Sequence, residues 1–186
     1  MRLVGLAIAI GLVGTGLVGV AACGDDGPSG PEVDMDAPQQ INVTSTAFRE
    51  GEPIPNRHSC HGAGVSPPLE FSAVPAEAAA LALVVDDPDA PRGTFTHWVV
   101  LDFDPTTVAV AEGAVPPGGV EVANSTGRTS YFGPCPPSGT HRYRFSVYAL
   151  RRDTGLGPTA GLRQALSAIQ DNALAWGRLV GTYSAR

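Results

Sequence analysis

The sequence predicts a mostly β domain with a single helix near its C-terminus. Three observations carry that prediction. Short stretches of alternating or continuous apolar residues recur along the chain, with turn-forming residues between them. Gly 23 and Pro 17 among 186 residues is nearly twice the usual share, which favours many turns over a helix bundle. Only one stretch repeats its apolar residues at helical spacing.

The elements follow in chain order. Ile41 to Phe48 alternates and is rich in β-branched residues, so it reads as a strand. Residues 49–68 hold Gly51, Pro53, Pro55, Gly62, Gly64, Pro67 and Pro68 and form an irregular loop. Leu81 to Val85 is a continuous apolar run, as in a buried strand. The Asp- and Pro-rich stretch from Asp86 to Gly93 is a turn or loop, and His97 to Phe103 is the next strand. Pro105 to Tyr131 has no clear period, and Pro116-Pro117-Gly118-Gly119 marks a turn within it. Gly133 to Gly139 carries three prolines, which lack N–H donors, so it is neither helix nor central strand. Arg142 to Leu150 alternates as a strand. Leu162, Leu166, Ile169 and Ala173 line one helix face, with Thr159 placed to cap its start. Arg178 to Ser184 returns to strand composition.

The N-terminus is a different kind of segment. Residues 1–22 have one charge, Arg2, followed by apolar and small residues, as in a secretory signal. The run ends in Val20-Ala21-Ala22-Cys23, similar to a bacterial lipobox in which the Cys is acylated after cleavage. An uncleaved membrane anchor is the alternative, but five glycines make a poor permanent helix. Residues 23–40 are rich in Gly, Pro and Asp and read as a flexible linker after lipidated Cys23. The domain then occupies residues 41–186, anchored by lipid in the cell envelope and facing outside the cytoplasm.

Composition narrows the function. Hydrophobic residues at 43% and charged residues at 16% exclude a disordered chain. The net charge of −6 argues against nucleic acid, whose phosphates call for a basic surface. All basic residues are Arg, which removes lysine Schiff-base and P-loop chemistry. Cys60 and Cys135 are left once Cys23 is assigned to lipid. In an exported chain such a pair favours a disulfide, the alternative being two separate thiols.

Two segments could carry chemistry. Asp86-Asp87-Pro88-Asp89-Ala90-Pro91 follows one strand, and His97-Trp98 opens the next. The Gly133–Gly139 loop runs into His141-Arg142-Tyr143. Both sit at strand ends, where loops gather polar groups over a rigid sheet. A carboxylate, two imidazoles and a phenol there would make a small polar pocket suited to an anion with its own protons, such as a phosphate ester. Protonated imidazoles would then bind anions more strongly at acid than at alkaline pH. Taken singly, Asp87 and Asp89 could be turn caps, His97 a core histidine and Tyr143 sheet packing.

Two other chemistries are weaker. His58-Ser59-Cys60-His61 packs possible metal ligands together but lacks a zinc-type repeat, so no metal is expected. Ser138, His141 and Asp87 could form a hydrolase triad, but no Gly-x-Ser-x-Gly elbow is present.

The segments Asp87-Pro-Asp-Ala-Pro91, His97-Trp98 and Gly133-Pro-Cys-Pro-Pro-x-Gly-x-His-Arg-Tyr143 resemble the signature regions of the phosphatidylethanolamine-binding proteins. The bacterial Raf-kinase-inhibitor-like branch is the most similar. Ile54-Pro55, Ser66-Pro67-Pro68-Leu69 and Leu179-Val180-Gly181-Thr182-Tyr183 extend the resemblance over nearly the whole domain. It implies two antiparallel β-sheets with a helix near the C-terminus, and a small anion-binding pocket at one end of the larger sheet. Asp87, His97, His141 and Tyr143 would line that pocket. Gly133, Pro134 and Pro136 would form its wall, with Pro137 supporting it. It further implies a cis bond at Ala90–Pro91 and a bridge between Cys60 and Cys135. Phe71 and Asn172 depart from the pattern, outside the pocket motifs.

The resulting expectation is a non-enzymatic module that binds a small anionic or phosphorylated ligand, with a phospholipid head group as one candidate and no cofactor. Two alternatives remain: a regulator of an envelope protein acting through its surface, and a hydrolase or isomerase using His97 and His141 as acid and base.

Overall fold

The computed structural model describes Val33 and residues 36–185. The signal segment 1–22, Cys23 and most of the linker lie outside the described residues. In chain order the strands are β1 (Asn42–Thr44), β2 (Leu69–Ser72), β3 (Ala80–Asp87), β4 (Phe95–Phe103), β5 (Ala109–Val110), β6 (Val120–Glu121) and β7 (Thr140–Leu150). Helix α1 (Leu162–Asn172) and β8 (Ala173–Ser184) complete the chain. They form two antiparallel sheets, one ordered β1-β2-β5 and the other β6-β4-β3-β7-β8.

The larger sheet is covered on both faces, which explains the unbroken apolar run in β3. Leu81, Leu83 and Val85 point toward the small sheet, into a core with Val43, Leu69, Phe71, Phe103, Phe145 and Val147. Ala80, Ala82 and Val84 point the other way, into a second core with Tyr148, Leu150 and α1 residues Ala165, Leu166 and Ile169. Side chains alternate across a strand, so two cores demand apolar residues at every position. Among the described residues no helix is long and apolar enough to cross a membrane.

Several boundaries differ from the sequence reading. β1 stops at Thr44, because Ser45 Oγ donates to the Pro68 carbonyl and accepts the Ala47 N–H, which turns the chain. β3 extends through Asp86 and Asp87, since each carboxylate has a partner on β7: Arg144 for Asp86 and His141 for Asp87. The two-residue strands β5 and β6 lie in the region without a clear period. Thr159 does not cap α1. Gly161 occupies that position without a side-chain bond, and a turn closed by Ala160 N–H to the Gly157 carbonyl holds Thr159 short of the helix. β8 follows α1 directly and starts five residues before Arg178.

Contacts with the domain begin before Ile41. Val33 is buried, and the Gln40 and Ile41 N–H groups both donate to the Trp176 carbonyl. The Trp176 indole N–H donates to the Ala37 carbonyl at 2.9 Å. Gly177 is required there, because a Cβ on it would lie 1.8 Å from the Ile41 oxygen.

The topology brings three strand ends together. β3 runs antiparallel to both β4 and β7, with Asp87 opposite Phe95 and Asp86 opposite Arg144. The C-terminal end of β3 therefore lies between the N-terminal ends of β4 and β7.

Candidate functional site

At this edge of the large sheet a pocket of about 330 Å³ is lined by Asp87, Ala90, Pro91, Phe95, His97, Thr126, Phe132, Cys135, Pro137 and His141. His97 and His141, which are 44 positions apart in the chain, thus share one cavity. Its lining combines the polar side chains of Asp87, His97, Thr126 and His141 with apolar ones from Ala90, Pro91, Phe95, Phe132 and Pro137. The small polar pocket expected from the sequence is more apolar than the residue types implied, because Phe95 and Phe132 pack against His97.

Asp87 ends β3 and uses both its oxygens. Oδ1 accepts the Asp89 N–H at 2.8 Å, an Asx turn that starts the loop. Oδ2 lies 2.7 Å from His141 Nδ1, in a pair buried on both sides. A carboxylate only accepts, so His141 carries a proton on Nδ1. The turn-capping role and the pocket role of Asp87 coexist in one side chain. Asp89 turns outward to the rim, where Arg142 donates to it from its backbone N–H, Nε and Nη2. These bonds hold the Asp89 carboxyl well below the usual carboxylate range, at about 2.

His97 opens onto the pocket from β4. Its Nδ1 donates to the Phe132 carbonyl at 2.7 Å, and the Phe132 N–H donates back to the His97 carbonyl at 3.0 Å. Phe132 stacks on the imidazole at 5.6 Å between centroids, while Phe95 and Tyr143 meet its edge at 4.9 and 5.2 Å. Burial of this ring pulls its pKa from 6.5 to about 4, against smaller upward pulls from the Phe132 carbonyl and Asp87. His97 is therefore neutral at ordinary pH. The expectation that both imidazoles act as cations does not hold for it.

Tyr143 comes to the site but lies beneath the pocket surface. It is fully buried, and its hydroxyl is sealed without a hydrogen bond of good geometry. Burial, reinforced by the Asp87 carboxylate, keeps that hydroxyl protonated. Gly133, Pro134 and Pro136 are likewise buried behind the cavity, while Cys135 and Pro137 reach it. Gly133 is needed for close approach: a Cβ would lie 2.5 Å from the His58 oxygen. The Ala90–Pro91 bond is trans, since no cis peptide occurs among the described residues. A turn closed by the Gly93 N–H on the Ala90 carbonyl reverses the chain there without it.

Cys60 and Cys135 form a disulfide with a Cα–Cα distance of 5.5 Å. It ties the 133–139 loop to the segment after the 3-10 turn Asn56–His58. The Cys60 N–H also donates to the Pro134 carbonyl, and the Tyr131 hydroxyl donates to the His58 carbonyl. Cys60, Cys135 and His61 present potential metal ligands within 4.8 Å of one another. Both sulfurs belong to the bridge, however, and offer no thiolate to a metal. His58 turns away to Val65, whose carbonyl lies 3.0 Å from its Nδ1. Ser138 is exposed and forms no hydrogen bond with His141 among the described residues, so the triad geometry is not assembled.

Sequence reasoning missed Phe95, Thr126 and Phe132. Phe95 had a signal: it stands two residues before His97 and so shares its face of β4. Phe132 precedes the proline loop and had none, because its role lies in a backbone carbonyl.

A family model described as phosphatidylethanolamine-binding protein matches residues 44–184. A Mycobacterium tuberculosis protein named as a lipoprotein, LppC, is 44% identical over 90% of this chain and 90% of its own length. A phosphatidylethanolamine-binding protein homologue from Chlamydia trachomatis has a crystal structure similar to this one, with a TM-score of 0.75 and 40% identity, covering 80% of this chain and 99% of that one. YbcL of Escherichia coli has the same TM-score of 0.75 at 28% identity, covering 79% and 99%.

Proposed function

We propose, from the premise that this chain belongs to the phosphatidylethanolamine-binding protein family, that it is a non-enzymatic module binding a phosphate-bearing or other small anionic ligand in the pocket at the end of its large sheet. The observation that carries this reading is the buried Asp87–His141 pair opening into the same cavity as His97. An anionic oxygen at His141 favours the imidazolium, and Asp87 stabilises that cation from the other side. The apolar walls would take the alkyl part of an ester. The family's description makes a phospholipid head group one source of such a ligand.

The same reading places the domain on a membrane through lipid at Cys23, supported by the resemblance of residues 20–23 to a lipobox and by the lipoprotein name of LppC. The tether then joins the domain at Trp176, which pairs with Tyr148, while His141 pairs with Tyr183 at the other end of β7. Seven residues of strand separate the two points, about 24 Å at 3.4 Å per residue. The pocket sits at the opposite end of β7 from the point where residues 37–41 meet Trp176.

The test is a titration of inorganic phosphate, phosphoethanolamine and phospholipid vesicles against the intact chain and its His141→Ala variant, followed by NMR. Shifts confined to residues around the pocket and lost in the variant are the expected result. No response to any of the three would overturn the proposal. Catalysed loss of phosphoethanolamine, abolished in the variant, would replace binding by turnover.

A further inference from the structure

We propose that this pocket recognises an oxyanion that brings its own proton, a phosphomonoester monoanion or monobasic phosphate, and discriminates against a phosphodiester of equal charge. The inference deepens the reading of the pocket as an anion site and rests on it. It comes from the directions in which the two imidazoles are wired.

His97 is fixed as the Nδ1–H tautomer. A carbonyl oxygen can only accept, and the Phe132 carbonyl lies 2.7 Å from Nδ1. The return bond from the Phe132 N–H to the His97 carbonyl keeps that carbonyl in place. Rings on three sides, Phe95, Phe132 and Tyr143, prevent the imidazole from turning over. Nε2 of a neutral ring is then a bare acceptor. It has no protein partner among the described residues, and it is not among their sealed polar atoms. With only 3% of the residue exposed and its ring lining the pocket, Nε2 faces the cavity.

His141 is wired for the opposite task. Its Nδ1–H is spent on Asp87 Oδ2, and Asp87 Oδ1 is spent on the Asp89 N–H. Once protonated, His141 has a single remaining donor, Nε2–H, on its pocket side. The cavity thus offers one charged donor and one neutral acceptor.

The charged and titratable groups around His97 reinforce this division. Asp87 faces it from β3, and His141 and Tyr143 face it from β7. The 126–132 segment contributes Thr126 and Phe132, which carry no charge. Asp89 and Arg142 neutralise each other at the rim. Burial outweighs the pull of Asp87, so His97 stays neutral down to about pH 4.

Ligand chemistry then decides. A phosphodiester, the head group of an intact phospholipid included, has only acceptor oxygens, and one of them would meet the Nε2 lone pair of His97, so of the two head-group sources the free monoester is the one favoured. A phosphomonoester dianion has the same defect. The monoanion has both halves of the match: its P–OH donates to His97 while a bare oxygen accepts from His141. Because the second proton of a phosphomonoester leaves near pH 6, affinity falls with rising pH through the ligand itself. The acid preference expected from two protonated histidines thus has a different origin at His97.

The experiment compares methyl phosphate with dimethyl phosphate at about pH 5, where each carries one negative charge and only the first retains a P–OH. Titration of the intact chain by NMR should give methyl phosphate the lower Kd by about tenfold or more, the ratio that roughly 1.4 kcal/mol corresponds to. Equal or tighter binding of dimethyl phosphate would overturn the proposal and leave the pocket an anion site. Pocket resonances that respond to neither ester nor to inorganic phosphate would remove the underlying reading too. A ligand-free measurement stands beside it: the ¹⁵N shift of His97 Nε2 at neutral pH should be that of an unprotonated ring nitrogen. A protonated Nε2 would also overturn the proposal.

Discussion

Replacing Cys60 and Cys135 together by Ser should destabilise the domain mainly through its unfolded chain. The bridge spans a sequence separation of 75 residues. In the chain-entropy account, a loop of that length lowers the entropy of the unfolded state by an amount equivalent to about 4 kcal/mol at room temperature. The folded state loses little in the exchange. Cys135 is exposed, and the loop keeps its bonds from the Cys60 N–H to Pro134, from Tyr131 to His58 and between Phe132 and His97. At roughly 2–4 °C per kcal/mol for a domain of this size, Tm should fall by roughly 8–16 °C. The urea m-value should rise, because an unfolded chain without the cross-link exposes more surface. Thermal and urea unfolding of the oxidised wild type and the double variant, followed by circular dichroism, measure both. The His97 ring shifts should be unchanged in the variant. A Tm change below about 2 °C, or an m-value that falls, would refute the reasoning.

Two further perturbations have defined outcomes. His97 has a folded pKa of about 4 against 6.5 in its usual range. The unfolded chain therefore takes up a proton that the native state refuses, and stability falls as pH drops from about 6.5 to about 4, by about 3 kcal/mol. Urea unfolding across that window should show the slope in the wild type and its loss in His97→Gln, and a slope shared by both would disprove the assignment. Asp89 acts in a lower window, since its depressed pKa makes its contribution disappear only as pH falls from 3.8 toward about 2. Gly177→Ala places a Cβ against the Ile41 carbonyl, a backbone atom that cannot rotate away. The variant should lose about 2 kcal/mol, and the amides of Gln40 and Ile41 should exchange faster with solvent. Wild-type stability in this variant would show that residues 37–41 do not seat on β8 as described.

The fold was legible where side-chain pattern follows local geometry. β3, β4 and β7 announce themselves because each lies in the middle of a sheet with both faces or one face buried, so periodicity reports their environment. α1 does so through Leu166 and Ile169, which fill the second core. β5 and β6 do not, because two residues are too few for a period, and they exist only through pairing with β2 and β4. The early end of β1 was hidden for a similar reason. It depends on a hydroxyl at Ser45 that reaches a carbonyl 23 residues away. Thr159 shows the converse: a good capping residue is unused when the chain enters its helix two positions later.

The site divides along the same line. Asp87, His97 and His141 could be named from sequence because their identities carry the chemistry, and the proline loops mark the strand ends that bring them together. What the two histidines do could not be named, since an imidazole is acceptor, donor or cation according to its neighbours. At His141 the neighbour is a side chain, Asp87, 54 residues away, and the pairing was at least conceivable from residue types. At His97 it is the backbone carbonyl of Phe132, a group every residue possesses and no sequence distinguishes. That one carbonyl fixes the tautomer, and the phenyl rings around it supply the burial that keeps the ring neutral. The difference between two cationic imidazoles and one that can accept therefore rests on how neighbouring rings bury His97, while the backbone carbonyl decides which of its nitrogens is left bare. That difference decides whether the preferred phosphate arrives bare or with a proton.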